Sequence, residues 1–275
     1  MVGPGAASPL SRRQQKMATL IISDGPQRVA DLAVRLGVSQ MTAYRDIDRL
    51  TELGILRRTR HGITAQPSSI FESSLEYRSH VFPREKEAIS AACLELVEPG
   101  MSLIIDDGTT LIPLVERLGE RVPLTVITSF VRVIGELSKV AGIDLIVVGG
   151  SYRRRYESLS GVLCADMISQ LRADILFLSP SAIHQGTALH QDEDMVATKR
   201  AMIESSEQRV LVADHSKLGR RATHRLGHVS DFDVVITDDN ADKSQLSHVC
   251  DYDTPVTVAA VQPVSGRRDQ PGAGD

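Results

Sequence analysis

The chain has 275 residues, with 31 Lys and Arg against 35 Asp and Glu, for a formal net charge of −4. That length suggests about two domains at roughly 150 residues each, and the ordinary composition excludes collagen-like, disulfide-scaffold and low-complexity classes. No apolar run approaches the ~20 residues needed to cross a bilayer, and MVGPGAASPL lacks the basic start and apolar core of a signal peptide, so a cytoplasmic protein is expected.

Residues 1 to 10 are rich in Gly, Pro and Ala and are expected to be disordered. Ser11 is suited to cap a helix running to about Ile22, with Met17, Leu20 and Ile21 inward, and Asp24-Gly25-Pro26 ends it. Ala30, Leu32, Ala33 and Leu36 then fall at helical spacing. Gly37 follows as a stop, since glycine adopts the left-handed conformation cheaply. Ser39 stands where an N-cap is wanted for a second helix from Gln40 to about Leu53. Ala43, Ile47, Leu50 and Leu53 share its inner face, and Gln40, Tyr44, Arg45 and Arg49 share the outer one. Ile55-Leu56 and the basic run Arg57-Arg58-Thr59-Arg60-His61-Gly62 read as two short strands around a charged tip.

Two helices joined by a glycine turn also occur in domains that never touch DNA. Two features favour the DNA-reading helix-turn-helix here. One is the basic wing. The other is charge: residues 1 to 66 carry ten Lys and Arg but five Asp and Glu, a net of +5, which leaves −9 for the remainder. A basic segment on an acidic body points to a polyanion partner for that segment.

The run Val38-Ser39, Thr42, Arg45-Asp46-Ile47, Leu50, Gly54, Leu56, Arg58 and His61-Gly62 resembles the winged helix of the DeoR family of sugar-responsive bacterial regulators. The family's usual T-I-R-R-D is Thr42-Ala43-Tyr44-Arg45-Asp46 here, and its H-G-G is His61-Gly62-Ile63. Tyr44 is therefore expected to alter operator preference.

Gln66 to Ser74, with a proline and four serines, reads as the start of a linker that continues to Phe82. A helix from Arg84 to about Val97 opens the second half, ended by Pro99-Gly100. Short β-branched runs follow at Leu103–Ile105, Leu124–Ile127, Leu145–Val148, Ile175–Leu178, Val210–Ala213 and Val234–Ile236. Helical patterns lie between several of them, at Thr110–Leu118, Val131–Val140, Val162–Leu171 and Val196–Ser205. This alternation implies a mostly parallel sheet covered by helices. The expected division is a winged helix over 11–65, a linker over 66–82, an α/β domain over 83–261 and a disordered tail over 262–275.

Ligands of such sheets bind beyond the C-terminal strand ends. After the first strand comes Asp106-Asp107-Gly108-Thr109-Thr110, whose N–H groups and hydroxyls suit an anion. The aspartates repel a bare phosphate, and either hold sugar hydroxyls or orient the loop. The same loop also suits a plain turn and cap. Thr128-Ser129, Gly149-Gly150, Asp214-His215-Ser216-Lys217 and Thr237-Asp238 leave later strands. Lys217 offers a point charge to a phosphate, or is a solvated surface lysine. Arg153-Arg154-Arg155 is either an anion contact or a solvated loop. The three cysteines, Cys93, Cys164 and Cys250, lie far apart without metal-ligand spacing and read as small hydrophobes; His184, His190 and His215 read as ordinary polar residues. No metal or cofactor is expected.

The resemblance covers about residues 11 to 261. It implies a winged helix-turn-helix followed by a sugar-phosphate-sensing domain similar in fold to ribose-5-phosphate isomerase and CoA-transferase-like proteins. It makes Asp106, Gly108, Thr109, Thr110 and Lys217 effector contacts, with Thr128, Ser129, Gly149 and Gly150 beside them. Leu178-Ser179-Pro180-Ser181-Ala182-Ile183 departs from the family's F-x-G-x-x-G. The same stretch bears on an alternative, an isomerase-like enzyme fused to a DNA-binding domain. Related isomerases carry catalytic acids after this strand, and Ser179-Pro180-Ser181 holds no carboxylate.

The expected function is therefore a transcriptional repressor of carbohydrate genes, switched by a small phosphorylated sugar, and not an enzyme. Gln40, Thr42, Tyr44 and Arg45 are the expected base-edge readers. Arg28, Ser39, Arg49, Arg58, Arg60 and His61 are the expected backbone contacts. A homodimer or higher oligomer is expected, because paired half-sites multiply a single domain's affinity.

Overall fold

The computed structural model describes residues 10–60, 62–66 and 75–262. Residues 1–9 of the expected disordered start, His61, residues 67–74 of the expected linker and the expected tail beyond Gln262 lie outside the described residues.

Three helices form first: α1 (Arg12–Asp24), α2 (Val29–Leu36) and α3 (Gln40–Glu52). Ser11 caps α1 in a reciprocal capping box with Gln14. Gly37 ends α2 in the left-handed conformation at φ 65°, and Ser39 Oγ accepts the Thr42 N–H at 3.2 Å to open α3. Two strands, β1 (Leu56–Thr59) and β2 (Gly62–Ala65), pair antiparallel as the wing. Gln27 joins them by exchanging two backbone bonds with Ile63, at 2.8 Å each. That contact requires Gly62, because a Cβ there would meet the Gln27 carbonyl oxygen at 2.4 Å. Met17, Ile21, Leu32, Ala43, Ile47, Leu50, Leu56 and Ile63 close the core of this unit.

The stretch before the sheet is helical rather than a plain connection. Leu75 opens α4 (Leu75–His80) and packs into the core beside the sheet. Two residues on, Tyr77 packs into the winged-helix core instead. One short helix is thus buried on both sides. Next comes α5 (Pro83–Leu94), shorter than the expected run to Val97, with proline at its first position where no N–H is missed.

The second half continues β3 (Ser102–Ile105), α6 (Ile112–Arg117), β4 (Leu124–Thr128), α7 (Val131–Leu137), β5 (Ile143–Val147), β6 (Ser151–Arg153), β7 (Ser158–Ser160) and α8 (Val162–Ser169). It ends with β8 (Ala173–Leu178), β9 (Ala182–His184), β10 (Thr187–His190), α9 (Glu193–Glu204), β11 (Ser206–Val212), β12 (His224–His228), β13 (Val234–Asp238), α10 (Lys243–Cys250) and β14 (Val256–Ala259). All six apolar runs become strands of one seven-stranded parallel sheet ordered β14-β13-β11-β8-β3-β4-β5. The seventh strand, β14, carries only VTVA and did not stand out as a run. Instead of one helix from Thr110 to Leu118, α6 is flanked by 3₁₀ turns at Thr109–Leu111 and Leu118–Arg121.

Alternation along each strand feeds two cores. Leu103, Ile105, Phe177 and Val212 point to the layer with α5, α6 and α7. Ile104, Leu176, Leu178 and Leu211 point to the layer with α8, α9 and α10. Burial on both faces is why these runs are continuous rather than alternating. From β3 the chain steps outward to β4 and β5, then returns to β8 on the other side of β3 and steps the opposite way. The loops after β3 and β8 therefore part at a topological switch point, where open parallel sheets form a crevice.

Candidate functional sites

The exposed face of α3 presents Gln40, Met41, Tyr44 and Arg45, with Thr42 and Arg49 half-buried. Arg28, Ser39, Arg57, Arg58 and Arg60 are exposed around it. Three of the expected contacts, Ser39, Thr42 and Arg58, are engaged within the protein. Ser39 Oγ and Thr42 Oγ1 hydrogen-bond to each other at 2.9 Å. Arg58 pairs with Asp48 at 2.5 Å and lies 5.7 Å from the centre of the Tyr44 ring. This pins the wing against α3 and orients Tyr44. Behind that face, buried Asp46 accepts from Arg13 Nε at 2.5 Å and from Gln14 Nε2 at 2.9 Å, locking α1 to α3.

A cavity of about 660 Å³ opens at the switch point. That volume suits a small metabolite. Its lining includes Thr109 from the loop after β3, Ser181 after β8, Asp214 to Arg220 after β11, and Arg78 and Lys86 from α4 and α5. Four basic side chains, Arg78, Lys86, Lys217 and Arg220, thus line the cavity with one carboxylate, Asp214. Gly54, Ile55, Ala65 and Gln66, from the end of α3 and of the wing, line the same cavity.

Hydrogen bonds set the lysines in place. Lys217 Nζ donates to Ser179 Oγ at 2.7 Å and to Thr110 Oγ1 at 3.2 Å. Lys86 Nζ donates to the Arg78 carbonyl and, at 3.3 Å, to Thr109 Oγ1. Burial drives Lys86 from the ordinary 10.5 down to about 7; Asp214 opposes this, while Lys217 and Arg78 add to it. Burial pushes Asp214 up, but Lys217, Lys86, Ser216 and Arg220 outweigh it and hold the carboxylate below its usual range. Asp238 Oδ1 lies 2.9 Å from His215 Nδ1, and this hydrogen bond raises the imidazole against the effect of burial.

The two aspartates of the first loop face away from this cavity. Lys199 of α9, fully buried, pairs with Asp106 and, at 2.6 Å, with Asp107. Asp106 Oδ2 also accepts the Ser179 N–H at 2.9 Å. Burial pushes Asp106 up, to about 7. At Asp107 burial also pushes upward, but Lys199 outweighs it and holds this carboxylate ionised. Of the two roles open to this acid pair, orienting the loop is the one the geometry carries. Gly108 serves the same packing, because a Cβ there would lie 2.3 Å from Ser179 Cβ.

Among the expected effector residues, then, Thr109 and Lys217 line the cavity, Thr110 touches Lys217, and Asp106 and Gly108 lie behind Ser179. The others fall elsewhere. Thr128 Oγ1 donates to the Ile105 carbonyl at 2.8 Å and accepts the Phe130 N–H, closing a turn. Ser129 Oγ meets Ser158 Oγ at 3.2 Å. Gly149 packs toward Met167, and Gly150 against Ser160 and Cys164. Arg153 is ion-paired with Asp194 rather than standing as an open anion contact.

Reading the sequence missed Arg78, Lys86, Lys199 and Arg220. Two of these carried a signal. Lys86 stands on the stripe of Ile89, Ser90 and Cys93, and Lys199 on that of Met195, Val196 and Met202. A lysine at an apolar-stripe position of an amphipathic helix is buried, and a buried lysine needs a partner.

Residues 13–68 match the DeoR-like helix-turn-helix domain, and residues 82–239 match the DeoR C terminal sensor domain. The chain belongs to the DeoR family. A glycerol-3-phosphate regulon repressor of Haemophilus influenzae is 37% identical over 230 residues, covering 83% of this chain and 89% of that one. The protein of the same description from Escherichia coli K12 is 34% identical over 229 residues, covering 83% and 90%. A putative aga operon transcriptional repressor of Escherichia coli O157:H7 is 28% identical over 240 residues, covering 86% and 89%. Among solved structures, a ribose 5-phosphate isomerase of Methanocaldococcus jannaschii superposes with a TM-score of 0.37 at 15% identity, covering 49% of this chain and 54% of that one. As a DeoR-family member the chain is a DNA-binding transcriptional regulator with an effector-sensing half. No helix among the described residues is long and apolar enough to cross a membrane.

Proposed function

We propose that this DeoR-family regulator is a cytoplasmic repressor of genes for phosphorylated-carbohydrate use, released or modulated by a small phosphorylated sugar or polyol held in the cavity at the switch point. The observation that carries this reading is the wall of Arg78, Lys86, Lys217 and Arg220 around a 660 Å³ space. Thr109 and Ser181 add hydroxyls, and Asp214 adds one carboxylate for hydroxyls of the ligand. An anion of this size recovers on binding part of the solvation it loses, because half-buried Arg78, Lys217 and Arg220 and buried Lys86 offer it charge-assisted hydrogen bonds. The relatives described as glycerol-3-phosphate regulon repressors make glycerol 3-phosphate the first probe.

On DNA, α3 enters the major groove, with Gln40, Thr42, Tyr44 and Arg45 at base edges. Arg28, Ser39, Arg49, Arg57 and Arg60 meet phosphates. Arg58, tied to Asp48 and Tyr44, orients Tyr44 instead. The cavity touches the ends of both α3 and the wing, so an occupant bears on the placement of the DNA-reading face. Such a ligand changes DNA affinity only by its differential affinity for the two placements.

Catalysis is not part of this reading. Asp106 and Asp107 are committed to Lys199, and against burial Lys217 and Lys86 hold the Asp214 carboxylate below its usual range, the opposite direction from a tuned general base.

The test is thermal unfolding of the full chain with glycerol 3-phosphate, pentose and hexose phosphates, and each free alcohol or sugar. A ligand that binds the folded state raises the unfolding temperature. A rise with one phosphate ester and none with its free counterpart supports the reading. No rise with any phosphate ester removes the sensor half of it.

A further inference from the structure

We propose that a second copy of this chain docks on the β5–α8 face of the sensor half, with the two β5 strands antiparallel across a two-fold axis. The edge strand β5 is paired, among the described strands, only with β4. The Val148 N–H donates to Thr128 in β4, so alternation turns the N–H and C=O groups of Leu145 and Val147 to the open side. An edge of this kind is a template for another strand.

The side chains around it are apolar. Six of the eleven large hydrophobic residues exposed among the described residues lie between Ile146 and Met167. Val162 and Leu163 on α8 are 75% and 71% exposed, and Ile146, Val147, Tyr152 and Met167 join them. The two parts are continuous, because Gly149 at the end of β5 abuts Met167 Sδ of α8. Edge protection is sparse: the run from Ile143 to Tyr152 carries one charge, Asp144, and no lysine or proline. The opposite edge strand, β14, exposes one large hydrophobic, Val258.

Self-pairing is the arrangement that suits this face. A two-fold axis opposes a patch to itself, so apolar α8 and β5 side chains meet their own kind. Antiparallel reversal turns the Asp144 end of one strand toward the end of the other that leads into exposed Arg154. Two seven-stranded sheets then run on as one, and each copy contributes one DNA-reading unit to a half-site. This inference is independent of the ligand reading above.

The test is the mass of the full chain by sedimentation over a wide dilution series, with the variants Leu163→Asp, Val147→Lys and the control Val258→Asp. Their parent side chains already face solvent, so the fold is expected to survive, and circular dichroism checks it. The expected result is a dimer or larger assembly whose mass halves in Leu163→Asp and Val147→Lys but not in Val258→Asp. Amide exchange at Leu145 and Val147 is expected to slow as concentration rises, which keeps the test valid if one variant misfolds. A monomeric parent chain at every concentration overturns the proposal, as does an unchanged mass in both variants or dissociation by Val258→Asp alone. Unchanged exchange at Leu145 and Val147 overturns it too.

Discussion

Lys217 Nζ lies 2.7 Å from Ser179 Oγ, and the Ser179 N–H is held in turn by Asp106 at 2.9 Å. The loops after β3, β8 and β11 are joined by this chain of bonds, which holds an ammonium group at the mouth of the crevice. Lys217→Met removes that charge and leaves the methylene stem. Hydrogen bonds to charged groups contribute about 1.5–3 kcal/mol, so affinity for the phosphate ester is expected to fall roughly 10- to 100-fold. Calorimetric titration checks this, and an unchanged affinity would put the ligand elsewhere.

Lys86 supplies a pH signature. Its folded value is about 7, below the ordinary 10.5, so in the free protein the amine is mostly neutral at pH 8. A base lowered in this way costs the fold stability between those two values as pH falls, and the cost is constant below about 7. A phosphate dianion binds the protonated form. Binding at pH 8 is therefore expected to take up part of a proton, measurable by calorimetry in buffers of different ionisation enthalpy. Lys86→Met is expected to abolish that uptake. If it persists in the variant, another group is titrating.

Lys199→Met leaves Asp106 and Asp107 buried together without a cation. Removing one partner of a buried pair costs about 3–5 kcal/mol. The expected result is a lower unfolding temperature for the sensor half. The pH dependence separates this from simple loss of packing. In the parent, Asp107 stays ionised at both pH 8 and pH 5, so only Asp106, raised to about 7, adds stability as pH falls between them. In the variant both carboxylates lie above their usual range, so stability is expected to rise more steeply as pH falls than in the parent, and the deficit to narrow. Denaturation curves at pH 5 and pH 8 decide between them: a deficit equal at both values means that the lysine acts by shape alone.

On DNA, Arg45→Ala and Arg60→Ala are expected to differ in kind. Arg45 stands on the exposed face of α3, and its loss is expected to cost about 1–3 kcal/mol on the operator with little change on unrelated DNA. Arg60 stands in the wing tip. Its loss is expected to weaken all sequences alike and lower the salt slope by about 1. Anisotropy titrations at several salt concentrations read both. Equal effects of the two variants would remove the division of labour.

By itself the sequence determined the order and type of the main elements, because their signals are local. The Gly37–Ser39 turn, the α3 face and the six continuous apolar runs each depend on residues a few positions apart. It also pointed to Thr109 and Lys217, since strand ends before helices mark the crevice. Only the tertiary structure decided which strand ends meet. Thr128, Ser129, Gly149 and Gly150 leave strands on the far side of β3, whereas Arg78 and Lys86 come from helices before the sheet and close the cavity from the front. The pairing of Asp106 and Asp107 with Lys199 is likewise a matter of tertiary structure. Their partner Lys199 lies about ninety residues on, and burial, which comes from packing rather than spacing, favours the loop brace over the hydroxyl-binding role that the sequence left equally open.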